Sequence, residues 1–184
     1  MLGLLTIILA FNYVDRQVLA ILLPEIKSEL DLSDTQLGLL SGMAFAFFYA
    51  IMGIPIARWA DKGNRITIIS ITTTLWSFMV VMCGLASNFF LLLLARAGVA
   101  VGEAGCMPPA NSLIPDYYSR EERPRAVAIY MMGAPLSVII GYLFGSWLNE
   151  LYGWRLTFIL LGIPGIALGV LAKLTLREPR FSIL

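Results

Sequence analysis

Four charged residues stand where charge is hardest to keep. Asp15 and Arg16 lie deep in one apolar run, and Arg96 and Glu103 lie deep in another. A charge at the middle of a membrane helix costs about 2.5–3.5 kcal/mol on insertion scales, so four cost on the order of 10 kcal/mol. The other eleven of the thirteen basic residues sit in loops or near the ends of apolar runs. A buried ion pair can serve only to fix helix register. The spacing points further than that. Arg96 and Glu103 are seven residues apart, two helical turns, and share one helix face. Asn12, Asp15 and Arg16 follow i, i+3, i+4 spacing and make one polar band, which Tyr13 and Gln17 widen. A carboxylate in such a place can switch: burial favours its neutral form and a neighbouring arginine its charged form. Breaking and remaking the pair then releases or captures a proton. The chain has no histidine, so a proton relay must run through Asp or Glu. Glu103 is the first candidate for the titrating group and Asp15 the second. Arg16 and Arg96 are their expected partners, and either could instead hold an anionic head group; Arg16 with Glu103 is the pairing to test.

The elements that must position these groups are membrane helices. The chain is 59% hydrophobic and 14% charged, against about 25% charged residues in a soluble domain, so lipid has to serve as solvent. A β-barrel would show alternating segments of about ten residues. Here six apolar runs cover about 2–24, 37–57, 66–86, 89–114, 126–148 and 156–176, each long enough to cross a ~30 Å hydrocarbon core. The deep charges fall on the first and fourth runs, the leading member of each triplet. Met1 opens almost directly into the first run, with no charged n-region or cleavage site, so that run reads as a helix and not a signal peptide. Ser33-Asp34-Thr35-Gln36 reads as a capping box opening the second helix. Pro124 fits the first turn of the fifth. Pro55, Pro108, Pro109, Pro135 and Pro164 are expected to kink their helices, since a bundle can re-satisfy the carbonyls they free. Gly38/Gly42, Gly98/Gly102 and Gly141/Gly145 are small-xxx-small pairs suited to close helix packing.

Nine basic residues, Arg58, Lys62, Arg65, Arg120, Arg123, Arg125, Lys173, Arg177 and Arg180, fall on one side of the membrane, and only Lys27 and Arg155 on the other. That asymmetry is expected to put both ends of the chain in the cytoplasm of a multi-pass protein of the cell (inner) membrane. A net charge of +1 with no basic face argues against nucleic-acid binding. Cys83 and Cys106 lie inside apolar runs without metal-ligand spacing and read as small core residues, so no metal site is expected. An intramembrane enzyme fits poorly, with no histidine for a dyad or a metal and no Gly-x-Gly-Asp motif. A channel subunit and a purely structural membrane protein stay open on these grounds.

The loop Ala57-Arg58-Trp59-Ala60-Asp61-Lys62-Gly63-Asn64-Arg65 resembles the signature of the major facilitator superfamily, G-x-x-x-D-R/K-x-G-R-K/R, with Ala57 and Asn64 in place of its two glycines. Arg96 through Ala104 is similar to that superfamily's fourth-helix motif, and Arg177-Glu178-Pro179-Arg180 looks like the exit from its sixth helix. Within the superfamily the likeness is to the spinster family: Asn12-Tyr13-Val14-Asp15-Arg16, Asp61-Lys62-Gly63-Asn64-Arg65, Gly102-Glu103-Ala104 followed by prolines, and Ile114-Pro115-Asp116. Organic anion:cation symporters share an N-Y-x-D-R first helix and are the competing family. The resemblance implies an all-α membrane fold in which this chain, residues 1–184, is the N-terminal six-helix half with a 3+3 inverted repeat. A C-terminal half would complete a site that works by alternating access. It implies no cofactor beyond a proton gradient. As partners it implies the bilayer and a small amphiphilic or anionic substrate, such as a lysophospholipid or sphingoid phosphate. Arg16, Arg96, Asn12 and Tyr13 would then contact substrate or serve as charge partners, and Phe45, Phe48, Tyr49, Met131 and Met132 would supply cavity walls. Asp61, Arg65 and Arg125 would belong to a cytoplasmic gate.

Overall fold

The computed structural model describes residues 1–181. Five helical stretches among them are long and apolar enough to cross a membrane: α1 (Leu2–Leu30), α2 (Asp34–Lys62), α3 (Arg65–Leu85), α4 (Phe89–Tyr117) and α5 (Arg123–Thr175). The 53 residues of α5 would reach about 80 Å as one rod, more than twice a ~30 Å hydrocarbon core. They form two legs instead, because Gly153 at φ 74° and ψ 169° breaks the helix. The first leg runs alongside α1 in the same direction, with Gly133 on Thr6, Gly141 on Gln17 and Gly145 on Val18. The second returns against the direction of α3, with Gly162 on Val81, Gly165 on Ser77 and Gly169 on Thr74. Six spans therefore make one all-α bundle, the class that the hydropathy indicates.

Capping residues set most of the helix starts. Gln36 N–H donates to Ser33 Oγ at 3.3 Å while Ser33 N–H donates to Gln36 Oε1 at 2.9 Å, the expected capping box. Asn64 accepts from Thr67 N–H at 2.8 Å and Asn88 from Leu91 N–H at 3.0 Å, opening α3 and α4. Three boundaries differ from expectation. α1 continues past Pro24 to Leu30, because Pro24 lies on the exposed face while Ile26 stays buried, so the lost hydrogen bond falls at the surface. α2 begins at Asp34 and contains a π-turn, Leu39–Met43, which hydropathy does not register. α4 is broken between Phe89–Glu103 and Met107–Tyr117: Pro108 and Pro109 remove two donors in succession, and the chain tightens into i→i+3 bonds from Gly105 and Cys106 N–H. Pro55 and Pro164, by contrast, sit inside uninterrupted helix.

The glycine pairs divide by use. A side chain at Gly102 would meet the Trp76 backbone at 2.6 Å, so α4 presses directly on α3 there, and Gly98 lies against Met79. Gly38 and Gly42 have no atom of the described residues within 4 Å of a would-be Cβ. Two large buried apolar clusters, with a small third of Ile56, Ala60, Ile68 and Ala104, fill the bundle. One large cluster contains Val14, Val18, Trp76, Leu92, Val99 and Phe158 toward the acidic end, and the other Leu5, Ile8, Ile66, Leu113 and Tyr130 toward the basic end. The deep charges of α1 and α4 sit where the large clusters meet. Large apolar side chains such as Phe90 (77% exposed) and Leu174 (77%) cover the outside, which only lipid can solvate.

Candidate functional site

Periodicity put Asp15 and Arg16 on one band of α1 and Arg96 and Glu103 on one face of α4; the packing of the two helices turns these into crossed pairs. Arg16 Nε donates to Glu103 Oε2 at 2.8 Å and its Nη2 lies 2.6 Å from the same oxygen. Arg96 Nη1 donates to Asp15 Oδ2 at 2.6 Å. Each helix thus contributes one cation and one anion, and the four charges cancel. Asp15 Oδ1, Glu103 Oε1, Arg96 Nε and the Asn12 side-chain nitrogen are buried with no hydrogen-bond partner among the described residues. The pairs have bonding capacity to spare.

The pairs differ in access. Arg96 and Asp15 side chains are 2% and 3% exposed, whereas Arg16 is 31% exposed beside a Glu103 that is fully buried. The open pair is ringed by aromatic faces: the Arg16 guanidinium carbon lies 4.5 Å from the Phe45 ring centroid, 5.1 Å from Tyr13 and 5.2 Å from Tyr49. Such contacts stabilise a desolvated cation without neutralising it. Tyr13 also reaches Met107 Sδ at 3.7 Å, beside the break in α4. Of the other expected wall residues, Phe48 is half-exposed and Met132 largely so, while Met131 packs with the cluster at the basic end. The geometry gathers Asn12, Tyr13, Asp15, Arg16, Phe45, Tyr49, Arg96 and Glu103 together, and leaves Phe48, Met131 and Met132 outside that knot.

A second charge cluster lies at the basic end and has Arg65 as its hub. Arg65 is fully buried; its Nε donates to both Glu178 oxygens at 3.1 and 3.2 Å, and its own backbone N–H to Glu178 Oε2 at 2.7 Å. Its Nη2 pairs with Asp116 Oδ2 at 2.6 Å and its Nη1 donates to the Ser112 carbonyl at 2.7 Å. Arg180 adds a bond to the Asp61 carbonyl at 2.9 Å and one to Ser112 Oγ at 3.2 Å. Burial pushes the Glu178 carboxyl up, but the hydrogen bonds from Arg65 and the backbone N–H of Arg180 outweigh it and hold the carboxyl below its ordinary range. Of the three residues expected at a cytoplasmic gate, Arg65 is the centre of this cluster and Asp61 engages it through its backbone. Arg125 is exposed and lines a separate groove with Leu2, Tyr118 and Glu122. Sequence reasoning missed Glu178, Asp116 and Ser112 as the partners of Arg65, and Arg180 as a further member of the cluster. Three of these four, Asp116, Glu178 and Arg180, stand in the segments Ile114-Pro115-Asp116 and Arg177-Glu178-Pro179-Arg180, which carried the family likeness, but nothing in one dimension links residue 65 to residue 178.

Comparison with known proteins decides the family. The model of the Major Facilitator Superfamily matches residues 5–183. The chain belongs to that superfamily. A crystal structure of a bacterial homolog to the human lysosomal transporter Spinster, inward-facing and unoccupied, is 45% identical and superposes with a TM-score of 0.90, covering 97% of this chain and 43% of that one. An MFS-type efflux pump of Mycolicibacterium smegmatis is 36% identical over 172 residues, 94% of this chain and 40% of the pump. A probable L-galactonate transporter of Escherichia coli is 29% identical over 159 residues, 86% of this chain and 35% of that protein. This member of the superfamily is similar to spinster proteins and corresponds to the N-terminal six-helix half, spanning about two fifths of the length of the curated relatives it matches.

Proposed function

We propose that this superfamily half belongs to a proton-coupled secondary transporter whose substrate is an amphiphile with an anionic head, such as a lysophospholipid or sphingoid phosphate. The observation that carries the reading is the Arg16–Glu103 pair: a buried carboxylate bonded to a guanidinium that is partly open and walled by Phe45, Tyr13 and Tyr49. Protonation of Glu103 removes its charge and frees Arg16 Nε and Nη2 for another anion; loss of the proton reclaims them. Proton and substrate then exchange at one arginine. The aromatic ring of contacts gives the acyl portion of an amphiphile an apolar wall beside the charge. The sealed Arg96–Asp15 pair holds α1 to α4 while this happens, and Asp15 is the reserve titrating group. Alternating access runs between this half and a second six-helix half, with the basic end on the cytoplasmic side of the cell membrane. Arg65, with Asp61 close by, forms part of the cytoplasmic gate, and Arg125 stands outside the Arg65 cluster.

A second reading has its own support. The likeness to a probable L-galactonate transporter suggests a small organic anion as cargo. Uptake of labelled lysolipid and organic-acid panels into proteoliposomes of the complete protein, with and without a pH gradient, separates the two. Saturable, gradient-driven uptake of an amphiphile that Glu103→Gln abolishes is the expected result. Uptake of sugar acids alone moves the cargo to the second reading. An unchanged pH profile in Glu103→Gln removes the proton role of Glu103.

A further inference from the structure

Phe45 occupies an unusual place between the two ion pairs. Among the described residues it is the one ring within cation–π range of both intramembrane guanidiniums, 4.5 Å from Arg16 and 5.4 Å from Arg96. It is buried, and it stacks on Tyr49 at 5.9 Å between centroids, which itself faces Arg16 at 5.2 Å. α1 and α4 supply all four charges; Phe45 comes from α2 and makes that helix a third party to both pairs.

The backbone that carries the ring is built to give. Phe45 begins the turn after the π-turn Leu39–Met43, and Ser41 Oγ donates back to the Leu37 carbonyl at 2.9 Å, a bond that favours helix bending. Gly38 stands just before this segment and Gly42 within it, and neither has an atom of the described residues within 4 Å of a would-be Cβ. Leu40 is the only buried residue between Asp34 and Met43. The outer part of α2 can therefore swing about the π-turn without dragging tightly packed backbone, and Phe45 lies where that motion enters the bundle.

We propose that Phe45 is a positioning residue for exchange at Glu103: its ring holds both guanidiniums in register, and the adjacent π-turn lets α2 move the ring when Arg16 changes partner. The inference rests on the reading of Arg16–Glu103 as the exchange pair. Phe45 contacts Arg16 and Arg96 together, so a change of partner at the open pair is made against a guanidinium that the sealed pair holds fixed. The other titratable or charged groups around the pair are Tyr13 and Asp15 of α1, Tyr49 of α2, Arg96 and Cys106 of α4 and, farther out, Cys83 of α3 and Tyr130 of α5. Asp15 is the one other carboxylate in that set.

Infrared difference spectra of the full-length protein in lipid nanodiscs, recorded during acid titration, test the role without a substrate. The carboxylic-acid band that Glu103→Gln deletes and Asp15→Asn keeps reports Glu103. Phe45→Leu preserves apolar bulk but has no ring face, and is expected to shift the midpoint of that band by about half a pH unit or more, a roughly threefold change in the protonation equilibrium. Phe45→Tyr is expected to restore the wild-type midpoint. Should Phe45→Leu fail to fold, Phe45→Met serves the same comparison. A band that Glu103→Gln deletes but that titrates identically in the leucine and tyrosine variants overturns the role of Phe45 and leaves the exchange pair standing. Absence of any Glu103-dependent band brings down both readings.

Discussion

Arg65 shows how one residue converts chain ends into fold. It is fully buried and holds Glu178 from the far end of the chain, Asp116 from the end of α4 and Ser112 one turn earlier. Losing a hydrogen-bonded partner of a buried charge removes about 2 kcal/mol or more. Glu178→Gln is accordingly expected to lower the melting temperature near neutral pH. The sign of its pH dependence follows from the Glu178 carboxyl being held below its ordinary range. A carboxyl with a depressed folded value contributes fully above the unfolded value, about 4.3 for Glu, and the contribution fades as pH falls through the folded value. Melting curves in detergent should show wild type above Glu178→Gln at pH 7 and the gap closing below about pH 4.3. A gap that is constant from pH 7 to pH 3 contradicts the assignment. The same scale separates the two membrane pairs. Arg96–Asp15, almost wholly sealed, is a cross-link; Arg16–Glu103, open along one side, is the pair with room to change.

At the scale of elements, close approach depends on glycine at a few positions. Gly153 turns α5 back on itself with φ 74° and ψ 169°, a region that side-chain-bearing residues scarcely enter. The turn is fastened to the ends of α1 and α3: Trp154 Nε1 and Arg155 Nε donate to the Glu29 carboxylate at 2.6 and 2.9 Å, and Arg155 Nη1 to the Gly84 carbonyl at 3.3 Å. Gly165 allows the second leg to lie on α3 so closely that a Cβ would stand 2.2 Å from Ser77 Oγ. Gly153→Ala is expected to cost about 1–3 kcal/mol through backbone strain, and Gly165→Ala a similar ~1–3 kcal/mol through overpacking. The two sites lie far apart along the leg, so thermal melts of the double variant should show nearly additive losses. Neutral behaviour of Gly153→Ala would mean that the reversal does not depend on that backbone conformation.

For the molecule as a whole, orientation is the property from which every mechanistic step takes its direction. Cys83 and Cys106 are both buried, so the native thiols should stay silent toward a maleimide that does not cross membranes. Lys62 and Ser87 are exposed at opposite ends of the bundle. Lys62→Cys should label only from the cytoplasmic side and Ser87→Cys only from the outer side of intact cells or oriented vesicles. The reverse pattern overturns the assignment of the basic end to the cytoplasm. Gly38 and Gly42 add a second whole-molecule feature. They present a narrow helix face that none of the described residues covers, on a chain that spans about two fifths of its relatives.

Much of this protein is local and therefore legible in one dimension. Hydropathy runs are set by the length a helix needs to cross a bilayer, so six spans could be counted from residues alone. The Ser33 capping box, the scarcity of membrane charges and the side on which basic residues collect are likewise properties of short segments. Family membership came from the Asp61–Arg65 and Arg96–Glu103 stretches for the same reason. What tertiary structure decided is who meets whom. Helical period assigns Asp15, Arg16, Arg96 and Glu103 to faces, but the rotation and height of α1 against α4 make the pairs Arg16–Glu103 and Arg96–Asp15. Those two freedoms are set by packing elsewhere, such as Gly102 on Trp76 and Gly141 on Gln17. Arg65 with Glu178, 113 residues apart, depends on all six spans being in place at once. The π-turn before Phe45 is equally out of reach of hydropathy, since one extra residue in a turn leaves the apolar run unchanged while re-aiming every side chain on one side of it.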